Sequence, residues 1–317
     1  MRFQQNVLAV VWDFDKTLIS HYMQDPLFEA YGIDGRTFWS EVNALPALYR
    51  ERGVPVNPET IYLNHMLAYV RAGRFPGLNN AKFRQLGQKL KFFPGIPDLF
   101  EATKTLIAAE PYRTFELKVE HYIVSTGLAE VIRGSLVAPH VENVWGCELL
   151  ESTFVPGAVP GAGGLTETAD PGVVTEIAAS IDNTTKTRAL FEISKGVNKH
   201  PEIGVNQKMP ENERRVPLSH MLYIADGPSD VPAFSVVKRG GGKTLAVYRS
   251  HDADSFNQAR HLQDDQRVDH FAEADYTAGS NASLWILSNL KDMADGIVEA
   301  HRRALSEGQH SVPRHLT

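Results

Sequence analysis

The sequence holds one cysteine, Cys147, among 317 residues. No intrachain disulfide can form, which excludes the disulfide-framed secreted modules and makes a reducing, cytoplasmic location the expectation. Long apolar runs are missing too. No stretch approaches the roughly 20 residues that span a bilayer, so no membrane partner is expected. The apolar run near the start, "VLAVVW", is short and ends on carboxylates, not on a small-residue cleavage site, and does not read as a signal peptide. Without secretion, the sequons at Asn183 and Asn281 are chance matches. An excess of positive charge is also absent. Lys+Arg number 32 against 38 Asp+Glu, a net charge of -6. That argues against a nucleic-acid binder, yet small anionic substrates stay open because a local site can oppose the net charge. There is no internal repeat.

What is present is an ordinary globular composition, 43% hydrophobic and 22% charged, with length for one large domain and a smaller one. Val7 to Trp12 is continuously apolar, the pattern of a strand buried on both faces of a parallel sheet. Then "PLFEAYGI", "TFWSEVNALPALYRERG", "PETIYLNHMLAYVRAG" and "NNAKFRQLGQKLKFF" carry apolar residues at helical spacing, an all-helical insertion. From "FPGIPDLF" a strand-helix alternation resumes, with strands at "EHYIVSTG", "VENVWGCELLES", "VVTEIAASI", "HMLYIADG", "TLAVY" and "ADYTAG" and a last helix from "SLWILSNL". The expected fold is α/β, a doubly wound, mostly parallel Rossmann-like sheet. Residues 1–20 and 93–305 form the core, 21–92 the insertion and 306–317 a disordered tail. Two irregular stretches, 156–172 and 198–217, read as long loops.

Three expected strands end in polar chemistry: Asp13-Phe14-Asp15-Lys16-Thr17, Ser125-Thr126-Gly127 and Asp226-Gly227-Pro228-Ser229-Asp230. In open α/β sheets ligands bind outside the carboxyl ends of strands. Asp13 and Asp15, two apart, face the same side of an extended chain and repel. A hard divalent cation, Mg²⁺, resolves the conflict, since no His or Cys accompanies these oxygens, and Asp226 completes the carboxylate set. With Lys186, which opens a later helix, such a site suits phosphoryl transfer: one Asp as nucleophile, the other as acid and base, and Ser125 with the N–H groups of Thr126 and Gly127 on the phosphate.

"WDFDKTL", "YIVSTG", Lys186 and "IADGPSD" resemble, in order, the four motifs of the haloacid dehalogenase (HAD) superfamily, and the helical insertion resembles the cap of its phosphoserine-phosphatase-like branch. The resemblance implies Asp13 as nucleophile and Asp15 as general acid/base. It implies Mg²⁺ on Asp13, the Asp15 carbonyl and Asp226, and phosphate on Ser125, Thr126, Gly127 and Lys186. Asp230 would orient Lys186 or a metal-bound water, and Thr17 would brace the first loop through a backbone hydrogen bond. The implied activity is hydrolysis of a small phosphorylated metabolite. Transfer of the phosphoryl group to another alcohol is the alternative, or a binding protein that keeps the fold without turnover. Lys16 stands where many such phosphatases have Gly or Ser.

Other features read as ordinary. Lys195 is a rival to Lys186 but does not follow a strand directly. "GGGKT" at 240–244 lacks the first P-loop glycine and reads as a helix stop. Arg214 and Arg215 read as a solvated charge run, Asp230 also as a helix cap, and His65 and His121 lack ligand partners at metal spacing. Within the insertion, Tyr22, Arg50, Arg52 and Arg71 are candidate substrate contacts.

Overall fold

The computed structural model describes residues 3–151 and 172–310. Among the described residues seven strands form one sheet: β1 (Val7–Trp12), β2 (Lys118–Leu128), β3 (Asn143–Leu150), β4 (Glu176–Ala179), β5 (Met221–Ala225), β6 (Lys243–Tyr248) and β7 (His270–Glu273). Their spatial order is β4-β3-β2-β1-β5-β6-β7. All pairings are parallel except that of β4, which adds antiparallel to β3 at the edge.

Alternation along β1 explains its unbroken apolar run. Leu8, Val10 and Trp12 enter one apolar cluster, while Val7, Ala9 and Val11 enter another on the opposite face. The first face is covered by α5 (Asp98–Ala108), α6 (Ala129–Arg133) and α10 (Asn281–His310), through residues such as Phe100, Ile132 and Ile286. The second is covered by α7 (Asn183–Lys195), α8 (Val231–Arg239) and α9 (Ala253–Asp264), through Leu190, Phe234 and Leu262. Each large aliphatic side chain so buried contributes about 1.5–3 kcal/mol, and the polar residues within the central strands, such as Glu120 and His121 of β2, are held by partners.

Between β1 and α5 lie four helices, α1 (Asp25–Tyr31), α2 (Gly35–Glu51), α3 (Ile61–Arg71) and α4 (Asn80–Gly87). Side-chain caps start two of them: Asp34 accepts from Arg36 N–H at 3.1 Å, and Asn79 from Lys82 N–H at 2.8 Å. Their inward residues Phe28, Phe38, Leu63, Met66 and Phe83 join the cluster that contains Trp12. The insertion and that face of the sheet thus share one continuous core.

The chain departs from the sequence reading in three places. The last strand is His270–Glu273, not "ADYTAG": the ladder with β6 closes when Ala274 N–H donates to the Tyr248 carbonyl, and the chain then turns on Asp275, which accepts from Thr277 N–H. Helix α9 was not read, because its buried face, with Ala259 and Leu262, is thin amid polar residues. Finally, α10 runs on through His310, into the expected tail, whose remainder lies outside the described residues, as do 156–171 of the first irregular stretch. The second stretch is tied down: the Lys195 ammonium donates to the carbonyls of Val205 and Gln207 at 2.6 and 2.7 Å. Arg215 is not solvated but paired with Glu120. No helix among the described residues is long and apolar enough to cross a membrane.

Candidate active site at the carboxyl edge of the sheet

Register brings the polar strand ends together. Trp12 pairs with Ile123 on one side and Ile224 on the other. The residues that follow, Asp13, Ser125 and Asp226, therefore leave the sheet at one edge, and Asp13 N–H extends the ladder to the Ile224 carbonyl at 2.9 Å. A cleft of about 260 Å³ opens there, lined by Asp13, Asp15, Lys16, Tyr22, Ser125, Thr126 and Asp226, with Gly227 to Ser229 and Gln258.

Lys186 reaches this edge from below. Asp182 caps α7, accepting from Thr184 and Thr185 N–H at 3.1 and 2.7 Å, while the Thr185 hydroxyl accepts from Asp182 N–H at 2.6 Å. That start puts Lys186 on the helix face that also buries Ala189, Leu190 and Ile193. Lys186 is 1% exposed. Its ammonium donates to Asp13 Oδ1 at 2.8 Å and Asp230 Oδ1 at 2.6 Å. Asp230 also accepts from the Tyr223 hydroxyl at 2.6 Å and the Ser229 hydroxyl at 3.1 Å, and its side chain makes no cap bond to α8.

The other site residues are positioned by their loops. Asp15 accepts from Met23 N–H at 2.8 Å. Ser125 Oγ accepts from Gly127 N–H at 3.0 Å, which folds the turn toward the cleft. A Cβ on Gly127 would lie 2.2 Å from Met23 Cε, so a side chain there would displace the end of Met23. The Thr17 hydroxyl goes to Asp13 Oδ2 at 3.3 Å, to the carboxylate and not to backbone as expected. Instead the Thr17 carbonyl is held by the Tyr276 hydroxyl at 2.7 Å.

One ammonium, that of Lys186, faces several buried carboxylates. Burial pushes the Asp13 carboxyl up to about 6, against the pull of Lys186 and with the Asp230 charge adding to the rise. Burial, then the charges of Asp13 and Asp230, push Asp226 up to about 7. Burial and the Asp13 charge hold Asp15 well above the usual carboxylate range. Burial also works against the Lys186 charge, but Asp13 and Asp230 outweigh it and keep the ammonium above its ordinary value.

This donor set suits a hard cation. Oxygens of Asp13, Asp226 and Asp230 lie within 4.8 Å of one another, with no nitrogen or sulfur ligand among them. Asp230 is already engaged by Lys186, Tyr223 and Ser229, whereas the Asp226 carboxylate has no hydrogen-bond or ion-pair partner among the described residues. The Asp15 carboxylate stands outside this group of three.

Sequence reading missed Tyr223, Gln258 and Tyr276. Tyr223 looked like one more residue of an apolar strand, and Gln258, which donates to the Asp226 carbonyl at 3.1 Å, sits on the unread α9. Tyr22 lines the cleft, but the exposed Arg50, Arg52 and Arg71 do not. Lys195 is held by its loop, His65 pairs with Glu41 at 2.7 Å, and His121 is buried between Trp12 and Thr103. Burial drives the His121 imidazole down to about 3, so it is neutral.

No family model matches the chain. An uncharacterized protein of Borreliella burgdorferi is 36% identical over 299 residues, covering 92% of this chain and 99% of the relative. Among solved structures, a HAD family hydrolase from Salmonella enterica serovar Typhi aligns at TM-score 0.48 and 13% identity, over 84% of this chain and 66% of that one. A probable phosphoserine phosphatase from Vibrio cholerae aligns at TM-score 0.49 and 12% identity, over 93% of this chain and 68% of that one. The stretches that resemble the first, second and fourth motifs of the haloacid dehalogenase superfamily meet at one edge of the sheet described above, and Lys186 reaches them from α7. By its near full-length identity the chain belongs to one family with the Borreliella burgdorferi protein.

Proposed function

We propose that the protein is a Mg²⁺-dependent phosphomonoester hydrolase that acts on a small phosphorylated metabolite through an aspartyl-phosphate on Asp13. The observation that carries this reading is the buried Lys186 ammonium bonded to both Asp13 and Asp230, behind a cleft that Asp13, Asp15 and Ser125 line. The phosphoserine phosphatases among the structural neighbours are named for such chemistry. A cytoplasmic enzyme fits the one buried cysteine.

Asp13, Asp226 and the Asp15 carbonyl would hold Mg²⁺, which when bound supplies positive charge against the phosphate and the crowded carboxylates. Lys186 and the Ser125–Gly127 turn hold phosphate oxygens, so that an anionic Asp13 can approach phosphorus. The Asp13 oxygen bonds to phosphorus as the ester P–O bond breaks, and Asp15 gives its proton to the leaving oxygen. Asp15 then takes a proton from water. The water oxygen attacks phosphorus, the Asp13–phosphorus bond breaks, and inorganic phosphate leaves. Asp230 keeps Lys186 in place, and Thr17 supports Asp13.

Purified protein with p-nitrophenyl phosphate, with Mg²⁺ or with chelator, tests the reading. Turnover only with the metal is expected, and glycerol as a competing alcohol separates hydrolysis from transfer. No turnover of any phosphomonoester by the metal-loaded wild type would sink it.

A further inference from the structure

One buried methionine touches both halves of the site. Met23 is 1% exposed, and its backbone N–H donates to Asp15 Oδ1 at 2.8 Å. Its thioether Sδ accepts the N–H of Leu128, the residue after the Ser125–Gly127 turn, at 3.0 Å. The same side chain lies against the turn itself, where a Cβ on Gly127 would come within 2.2 Å of Cε and 2.5 Å of Sδ. Leu128 is 2% exposed, so the contact lies out of reach of water, where even a weak acceptor such as sulfur counts. A leucine would fill nearly the same volume but offer that N–H nothing. The other oxygen of Asp15, Oδ2, has no hydrogen-bond partner among the described residues. An N–H aimed at Oδ1 makes that oxygen an acceptor and leaves the proton of the acid to Oδ2. The direction in which Asp15 gives its proton therefore depends on where the Met23 backbone stands, and the Sδ contact helps to set that position.

Resting on the phosphohydrolase reading above, we infer that Met23 is a positioning residue: its thioether, anchored on Leu128 beside the Ser125–Gly127 turn, fixes the backbone N–H that aims Asp15 at the leaving oxygen. One side chain thus keeps the acid in register with the turn that takes the phosphate. A misplaced acid is felt in proportion to how much the leaving oxygen needs a proton. Esters of basic phenols and alcohols depend on that proton, whereas p-nitrophenolate departs almost without it. A methionine that only filled the core would slow both kinds of ester alike.

The test compares phenyl phosphate with p-nitrophenyl phosphate, esters of similar shape whose leaving groups differ in basicity, under saturating Mg²⁺. In Met23→Leu the ratio of kcat/KM, phenyl over p-nitrophenyl, is expected to fall about tenfold, the direction in which Asp15→Asn also moves it. Added to Asp15→Asn, Met23→Leu is expected to lower the ratio no further, because it acts through that carboxylate. Gly127→Ala displaces the thioether from the other side with Met23 itself unchanged, and is expected to lower the ratio as well. It carries the test if Met23→Leu does not fold. A ratio within about threefold of wild type in Met23→Leu, or in Gly127→Ala where that variant must serve, overturns the inference even if both rates drop. A further fall of the ratio on adding Met23→Leu to Asp15→Asn overturns it too, since the effect would then bypass Asp15. If the wild type turns over neither ester, the phosphohydrolase reading falls and this inference with it. If it turns over both and the ratio does not respond, only this inference falls.

Discussion

Lys186 and Asp230 are joined out of reach of water, with Nζ 2.6 Å from Oδ1 and the side chains 1% and 0% exposed. The same ammonium holds Asp13, so one positive charge serves two buried negative ones. Removing it leaves carboxylates facing each other without compensation. Lys186→Met is expected to lose about 3–5 kcal/mol of unfolding free energy at pH 8 without metal, and less at pH 5, below the value of about 6 to which Asp13 is raised. Urea denaturation at the two pH values measures this. A loss under about 1 kcal/mol at pH 8 contradicts a buried ion triad.

The proposed reaction gives Asp13 and Asp15 separable tasks. Asp13→Asn is expected to lower phosphatase turnover by about 10³-fold or more with the fold intact, since no other carboxylate of the cleft stands both beside Lys186 and against Thr17. Asp15→Asn keeps an oxygen for Met23 N–H but cannot pass a proton, so both halves of the reaction slow by about 10²–10⁴. Rapid-quench kinetics separates the halves. Calorimetric Mg²⁺ titration is expected to find binding retained in Asp15→Asn, and its loss would break this division of labour.

Metal binding and pH are linked through Asp13 and Asp226, raised to about 6 and about 7 without metal. Raised carboxylate values mean that the metal-free fold binds extra protons. Its stability from these groups is full below about pH 4 and is lost as pH rises through 6 to 7, by up to about 1.4 kcal/mol per pH unit for each group. Mg²⁺ answers that repulsion where both groups are ionised. The rise in Tm on adding Mg²⁺ is expected to be larger at pH 8 than at pH 5.5. Equal shifts at both values would mean that the ion binds elsewhere.

Tyr62 ties the helical insertion to the Ser125–Gly127 turn, its hydroxyl donating to the Thr126 carbonyl at 2.8 Å. The Cys147 thiol reaches the same carbonyl at 3.2 Å, so Tyr62→Phe does not orphan it. A stability loss of about 0.5–1.5 kcal/mol is expected, with a few-fold weaker inhibition by inorganic phosphate as the turn loosens. Phosphate inhibition unchanged in Tyr62→Phe would show that the turn keeps its shape without this bond.

How much was legible follows from where each residue stands. Asp13, Ser125 and Asp226 close apolar runs, and in a sheet buried on both faces a polar residue at such a point is tolerated only at the open edge. Lys186 carried a weaker signal, a charge on the apolar spacing of Ala189, Leu190 and Ile193. Tyr223 and Tyr276 had none, because each serves a partner far off in the chain or around a turn, and a tyrosine in an apolar segment looks the same whether or not its hydroxyl is used. Helix α9, and Gln258 with it, was obscured by a buried face too narrow to set a clear period.

By itself the sequence determined the alternation of strand and helix, the helical insertion after β1 and the order of the polar strand ends, because these rest on local periodicity and on which residues survive burial. Tertiary structure alone decided that Lys186 joins Asp13 to Asp230, that the Asp226 carboxylate has no hydrogen-bond or ion-pair partner among the described residues and that Lys16 rests on Tyr22. Those contacts depend on register between strands distant in sequence and on the direction in which each loop leaves the sheet, and neither is written in the spacing of residues along the chain.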